Sequence, residues 1–314
     1  MGSDAQIEAM IPRVSNWGRW GPDDEVGTVN LITEERRRHG ASLARTGRAF
    51  SLALPLGAIG LQPHGDRRLD PHHVMLQTGT DLKAGVQPGQ VEGWGYADDM
   101  VTMALQCATH WDGLGHAFYD YKMYNDRPCT DVHAGGADHN AIDQWRDRIA
   151  TRGVLLDFPR LLGVESLDLG HRITEGEVEA ALEREGVRAE PGDVLLLRTG
   201  NMRRARQGGG WDRYTYSDEP GIGLDLLPWL HAHDTAGIAS DTWAMEVIPS
   251  GASIWLPVHA VAIVHMGLLM GENFVLEELA DACAADGVYE FFFCAPPLPF
   301  MKAVGGPVNP LAIK

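Results

Sequence analysis

Cysteine is scarce in this chain, and what there is builds no framework. Cys107, Cys129, Cys283 and Cys294 are scattered, with no CxxC pair. That spacing excludes a disulfide scaffold and a zinc ribbon and reads as reduced thiols. Positive charge is also in short supply: 26 Lys and Arg face 43 Asp and Glu, a net charge of −17. A surface of that sign repels phosphate backbones and anionic lipid, so neither nucleic acid nor a membrane is expected as a partner. No apolar run approaches the roughly 20 residues that span a bilayer. The amino terminus lacks the basic-then-apolar pattern of a secretory signal, and a cytoplasmic location is expected. Internal repeats and long low-complexity tracts are missing, and the Gly/Pro-rich pieces are too short to link independent domains. The chain is therefore read as one domain, 1–314.

Within that domain the sequence suggests an N-terminal arm and loops over 1–100, an α/β core over about 100–285 and a C-terminal segment over 286–314. Residues 62–99 are rich in Gly, Pro, Asp and His, with a strand near 73–78; loops of this kind often carry function. GVLLDF at 153–158 and DVLLLRTG at 193–200 are short apolar runs bounded by Gly, Pro or charge, as buried strands are. Between them TEGEVEAALEREG, 174–186, has a capping Thr174, an acid three residues on and a Gly stop, which predicts a helix. LDLLPWLHAHD at 224–234 predicts a helix and TAGIASDT at 235–242 a strand. PVHAVAIVHMG at 257–267 opens on a proline that a first helical turn accepts. This alternation of strand and helix implies an α/β fold.

The chemistry concentrates in QCATHWDGLGH, 106–116. On a strand, alternate residues share a face, so Gln106, His110 and Asp112 would point together, and Thr109 and Trp111 favour a strand. Gly113 and Gly115 permit a turn that returns His116 over that face. An imidazole, a carboxylate and an amide oxygen suit Zn²⁺ or Mn²⁺. Spacing alone leaves a second reading open, a hydrogen-bonded His110–Asp112 pair on a strand surface.

The stretch resembles the metal-binding motif H-x-G-T-H-x-D-x-P-x-H of the cyclase-like metal-dependent hydrolase family, which includes bacterial kynurenine formamidase and isatin hydrolase. Thr109, His110, Asp112 and His116 stand in place. NWGRWGPDDEVGTVNLIT, RGVLLDFPRL, PGDVLLLRTG, SDTWAMEV and the closing GGPVNP extend the resemblance over most of the chain. The resemblance implies a single-domain, swivelling β/β/α fold with a mixed central sheet and flanking helices. It also implies a first metal site from Gln106, His110 and Asp112, with a downstream His and Glu able to hold a second ion and His116 as general acid/base. His259 with Glu272 is the preferred downstream pair, His265 with Glu277 the competitor. Family members assemble as homodimers or homotetramers, and the same is expected here.

Gln106 replaces the motif's first histidine, Ala108 its glycine and Leu114 its proline. An amide oxygen is a harder, weaker ligand than imidazole, which turns the expectation toward Mn²⁺ or another oxygen-tolerant ion and leaves the count open at one or two, a single ion being held by His110, Asp112, His259 and either Gln106 or Glu272. The expected activity is hydrolysis of an amide, lactam or lactone by metal-bound hydroxide, on a small cyclic or aromatic substrate. The alternatives are a metal-dependent lyase or dehydratase, or a binding protein that has lost its metal. Nine tryptophans offer surfaces for such a substrate; Trp17, Trp20, Trp94, Trp111 and Trp243 lie near motif segments, and for any single one a core position is the plainer reading. Among the histidines of the 62–73 loop, His73 is a substrate-binding candidate. His64, His72 and their neighbours Arg67 and Arg68 read as a solvated loop that competes with a role in orienting a substrate carboxylate. Arg198, at a strand end, either meets an anion or pairs with an acidic neighbour.

Overall fold

The computed structural model describes residues 4–57, 61, 68–87, 91, 93–208, 210–211 and 214–314. Eleven strands matter here, numbered in chain order: β1 Ala49–Ser51, β2 His72–Gln77, β3 Asp98–Thr102, β4 His110–Asp112, β5 Ala150–Asp157, β6 Val194–Arg198, β7 Gly237–Ser240, β8 Leu269–Glu272, β9 Glu290–Cys294, β10 Gly305–Pro307 and β11 Leu311–Ile313. All but β2 and β3 join one nine-stranded sheet, in the order β1-β11-β9-β5-β6-β7-β8-β4-β10.

β5 through β8 run parallel, and the flanking strands are antiparallel. The parallel strands are buried on both faces, as their unbroken apolar runs require: Val154–Leu156, Val194–Leu197, Ile238, Ala239, Leu269 and Met270 are all inaccessible or nearly so. Helices pack on this layer. The Glu175–Glu185 helix begins with a reciprocal cap, Thr174 accepting from the Glu177 amide and Glu177 from the Thr174 amide, and ends at a left-handed Gly186. The 224–234 segment is a 3₁₀ turn, Leu224–Leu226, followed by the helix Leu227–Ala232. The segment from Pro257 is an α-helix, Pro257–Val261, that loosens into a π-helical turn, Ala262–Met266.

The α/β class is thus observed in one mixed sheet, but its limits differ from the expected core of about 100–285. β1 comes from the N-terminal region, and β9, β10 and β11 come from the C-terminal segment. These strands are only three to five residues long, too short to show a periodicity. Among the described residues β2 and β3 pair only with each other, in an arm whose Met75, Leu76, Met100 and Val101 are exposed. No helix among the described residues is long and apolar enough to cross a membrane.

Candidate metal centre

The centre is built on β4, which lies between β8 and β10. In the antiparallel register His110 faces Glu272, Trp111 faces Gly271 and Asp112 faces Met270. Directly opposed residues share a sheet face, so His110, Asp112 and Glu272 project together. Trp111 projects the other way, where its ring packs on Phe274 and Phe293 and its Nε1 donates to the Ala295 carbonyl at 2.8 Å. Gly271 makes this approach possible, because a Cβ there would lie 2.4 Å from the Trp111 ring.

The strand is shorter than the sequence suggests. Alternation does not extend back to Gln106, because Ala108 adopts a left-handed φ of 52° and breaks the face. That bend presents the Ala108 carbonyl to His110 Nδ1 at 3.0 Å. Thr109 fastens the bend by accepting from the Leu54 amide at 2.9 Å and donating to the Asn273 carbonyl. Gln106 therefore reaches the site from a turn: its Nε2 lies 3.4 Å from His116 Nδ1, in space that Gly305 leaves open. His116 is brought back by the expected turn, its amide donating to the Gly113 carbonyl at 2.9 Å. Gly113 serves by its size, since a Cβ would press on the Val304 carbonyl at 2.8 Å.

Three imidazole Nε2 atoms converge on two carboxylates. His110 Nε2 is 3.4 Å from both Asp112 Oδ1 and Glu272 Oε2. His259, from the Pro257–Val261 helix, lies 3.2 Å from Glu272 Oε1 and 3.7 Å from Asp112 Oδ2. His116 Nε2 is 3.6 Å from Asp112 Oδ1. Yet His110 Nε2 and Asp112 Oδ1 are buried with no hydrogen-bond partner. Two ligand atoms each about 2.0–2.2 Å from one tetrahedral ion lie about 3.4 Å apart, so these orphaned atoms and spacings fit a divalent cation. The ligand atoms of His110, Asp112 and Glu272 all lie within 4.8 Å of one another.

The surroundings orient the imidazoles toward such an ion. The Nδ1–H of His110 is directed at Ala108, and that of His259 at Glu246 Oε1 at 2.6 Å, which leaves each Nε2 lone pair facing inward. Glu246 also accepts from the Val258 and His259 amides. Burial alone would depress His110, but Asp112 and Glu272 raise it to about 9. Burial likewise opposes protonation of His259, and Asp112, Glu246 and Glu272 overcome it, holding the imidazole well above the ordinary range. Burial works against the Asp112 charge, and His116, His110 and His259 outweigh it, keeping the carboxyl well below the usual carboxylate range. His116 is pushed down by burial and by the nearby Arg68 and His259 charges, against Asp112. It stays neutral at pH 7 and can accept a proton.

Beside the cluster lies a cavity of about 90 Å³ lined by Arg68, Asp112, His116, Tyr216, Trp243, Trp255, His259 and Glu272 among others. A roomier groove of about 690 Å³ at the β1 edge has no acid, imidazole or cation in its lining; the chemistry sits in the smaller space. Of the tryptophans singled out from sequence, only Trp243 lines this cavity. Trp17 stacks on His265 and donates to the Val264 carbonyl, Trp20 lies under Arg19, Trp94 is exposed beside Tyr96 and Trp111 is core. His73 pairs with Asp99 on the exposed arm, and His64 and Arg67 lie outside the described residues. His265 sits in the Trp17 stack and Glu277 binds Arg198, so that pair does not approach His110.

Several contributing residues escaped the sequence reading. Trp255 and Tyr216 carried no motif. Glu246, with 0% exposure, lies inside the family-like SDTWAMEV segment and is an acid between Met245 and Val247, and could have been flagged from either; Glu219, which accepts from the Trp243 and Ala244 amides, stands between Asp218 and Pro220 with no local signal.

An α/β sheet carrying a buried cluster of two imidazoles and two carboxylates, with a third imidazole at its mouth, defines a class of candidate metal-dependent enzymes. Residues 51–247 match the family model described as "Putative cyclase", and the chain belongs to this cyclase family. A solved structure of a novel cyclase is 38% identical, covering 96% of this chain and 98% of its own, with a TM-score of 0.86. Isatin hydrolase A from Ralstonia solanacearum is 16% identical over 88% of this chain and 95% of its own, TM-score 0.63. A protein from Bacillus stearothermophilus described as a predicted metal-dependent hydrolase is 14% identical over 84% and 97%, TM-score 0.51. At these two identities the likeness is one of fold. No curated protein sequence matches the chain.

Proposed function

We propose that the protein is a metal-dependent hydrolase that cleaves an amide, lactam or lactone bond in a small cyclic or aromatic substrate, with one divalent ion, Mn²⁺ or Zn²⁺, as cofactor. The observation that carries this reading is the convergence of the His110 and His259 Nε2 atoms on the Asp112 and Glu272 carboxylates. These four side chains would hold the ion. When bound, it would supply Lewis acidity toward a carbonyl oxygen and acidify water. Likeness in fold to proteins named isatin hydrolase and metal-dependent hydrolase supports the same reading.

The chain's own residues would supply the rest. His116, neutral and at the cavity, takes a proton from the attacking water at one ring nitrogen and returns it to the leaving nitrogen or oxygen. Such a group contributes roughly 10²–10⁴-fold. Gln106, against the other ring nitrogen, holds the imidazole in place. Trp243, with Tyr216 and Trp255, gives a planar substrate an apolar wall and excludes water. We further read the protein as a homodimer or homotetramer. The exposed apolar side chains of the β2–β3 arm support this, since a lone two-stranded hairpin is marginal in water; light scattering of the purified protein tests it.

The decisive experiment joins metal analysis of protein purified without chelator to a panel of formamides, cyclic amides and lactones in ¹⁸O-water. Bound Mn or Zn and one solvent oxygen in the product are expected. Less than about a tenth of an equivalent of metal, unrecovered on adding it back, would sink the reading, because a ligand that binds the native state leaves a measurable occupancy. Turnover without solvent oxygen would point to a lyase or dehydratase.

A further inference from the structure

We infer that the cavity beside the metal centre contains a carboxylate subsite, in which Arg68 binds the carboxylate of a ligand whose planar body rests on Tyr216, Trp243 and Trp255. This rests on the proposed hydrolase reading and narrows its substrate or product to an aryl or cyclic acid.

The cation is the first observation. Arg36, Arg152, Arg160 and Arg198 each bind one or more carboxylates at 2.6–3.1 Å. Among the described residues Arg68 has no such partner, a property it shares with Arg37, Arg148 and Arg204, which bind carbonyl or amide oxygens, but of these it is Arg68 that lines the cavity beside the metal centre. Its Nη1 is 3.5 Å from the Gln106 carbonyl and its Nη2 3.5 Å from His116 Nε2, both long for hydrogen bonds. Neither contact neutralises it, and among the described residues no carboxylate lies within 4 Å of it. A guanidinium offers five N–H donors in a planar fork that matches a carboxylate. Here the fork lines the same small cavity as Asp112, His116, His259 and Glu272.

The aromatic wall is the second observation. Tyr216 and Trp255 are stacked at 5.6 Å with 14° between their planes, and Trp243 lies 4.2 Å from Tyr216 and 5.7 Å from Trp255. Trp255 is 51% and Tyr216 47% exposed, so these rings present apolar faces at the cavity mouth. A lining that holds both the cation and the rings selects a flat ligand with an anionic end. The Asp112 and Glu272 carboxylates oppose an anion elsewhere in the cavity, which confines it to the Arg68 side.

The test uses three planar isosteres of different charge, benzoate, benzamide and benzamidine, with binding to the Zn²⁺-loaded full chain followed by tryptophan fluorescence. Benzoate is expected to bind at least about tenfold tighter than benzamide, the scale of one charge-assisted hydrogen-bonded pair, and benzamidine weakest. Arg68→Leu should bring benzoate to within about twofold of benzamide, Arg68→Lys should keep part of the preference, and Trp255→Ala should weaken both ligands alike. Equal binding of benzoate and benzamide, or tighter binding of benzamidine, would overturn the subsite. So would a benzoate preference that survives Arg68→Leu, because the ion would then be its source.

The carboxylate has two possible origins, a substituent already on the substrate or the group formed at the cleaved carbonyl. Phthalate, with two adjacent carboxylates, binding tighter than benzoate assigns the first origin, and no gain assigns the second. A benzoate preference in a protein that fails the hydrolysis panel removes the hydrolase reading and leaves the subsite standing. Hydrolysis without the preference does the reverse.

Discussion

Binding of a divalent ion should release protons and tighten steeply with pH. In the metal-free site the imidazoles of His110 and His259 carry protons among Asp112, Glu246 and Glu272, with His110 raised to about 9 and His259 held higher than an ordinary histidine. An ion needs neutral imidazole, so it must displace those protons. With a pKa of about 9, His110 is protonated in about 99% of molecules at pH 7, and each unit below 9 weakens Zn²⁺ about tenfold. Between pH 6 and 8 the dissociation constant should therefore fall about 100-fold from His110 alone, and further if His259 also releases its proton. An unperturbed histidine, near 6.5, would give only about a fourfold change over that range.

Titration calorimetry in two buffers of different ionisation enthalpy counts the released protons, with one to two per ion expected at pH 7. A change below about fivefold between pH 6 and 8, with under about 0.3 protons released, would refute the electrostatic account. The stability of the metal-free protein carries the opposite sign. A folded-state pKa raised above the unfolded value contributes stability that is full below about 6.5 and is lost as pH rises through about 9. Metal-free protein should therefore lose thermal midpoint toward pH 9, while the Zn²⁺-induced gain grows.

Three further outcomes follow from particular contacts. Glu246→Gln leaves one of the three N–H groups that Glu246 now accepts without an acceptor, and should weaken Zn²⁺ binding about 10- to 100-fold by calorimetry. His116→Asn should leave metal content unchanged while lowering turnover of any substrate the panel finds roughly 10²–10⁴-fold; lost metal would make His116 a ligand instead. Ala108→Gly relieves a left-handed φ of 52° that costs an L-residue about 1–2 kcal/mol. Set against the added freedom of the unfolded chain, about 0.4–1 kcal/mol, and the loss of the buried Ala108 methyl, about 0.8 kcal/mol, the change should stay within about 1 kcal/mol of neutral in denaturant titration. A loss above about 1.5 kcal/mol, close to the sum of the chain-freedom and methyl contributions, would show that the bend is not strained.

What could be read directly from the sequence was local. Val154–Leu156 and Val194–Leu197 declare buried strands because three or four consecutive apolar residues between breakers have few other solutions. Thr174, Glu177 and Gly186 mark both ends of one helix because capping is a contact between residues three or four apart. The grouping of His110, Asp112 and His116 was legible for the same reason, since all three lie within seven residues. The bend at Ala108 was not, because alternation assumes an extended backbone and nothing in Cys107-Ala108-Thr109 announces a left-handed residue.

Tertiary structure alone decided the rest. Glu272 meets His110 because β8 pairs with β4 in one register, and a slip of one residue would put Gly271 there instead. Gly305, 193 positions beyond Asp112, takes its place opposite that residue and leaves room for Gln106. Arg68, Tyr216 and Trp255 come to the centre from segments without periodicity or motif, and Glu246 from a family-like segment that does not say what it faces, through chain pairings whose energies depend on the whole sheet. The sequence by itself determined which groups were available for chemistry, because residue type and short-range geometry are written in it. Which of them face one another was settled only by the long-range closure of the fold.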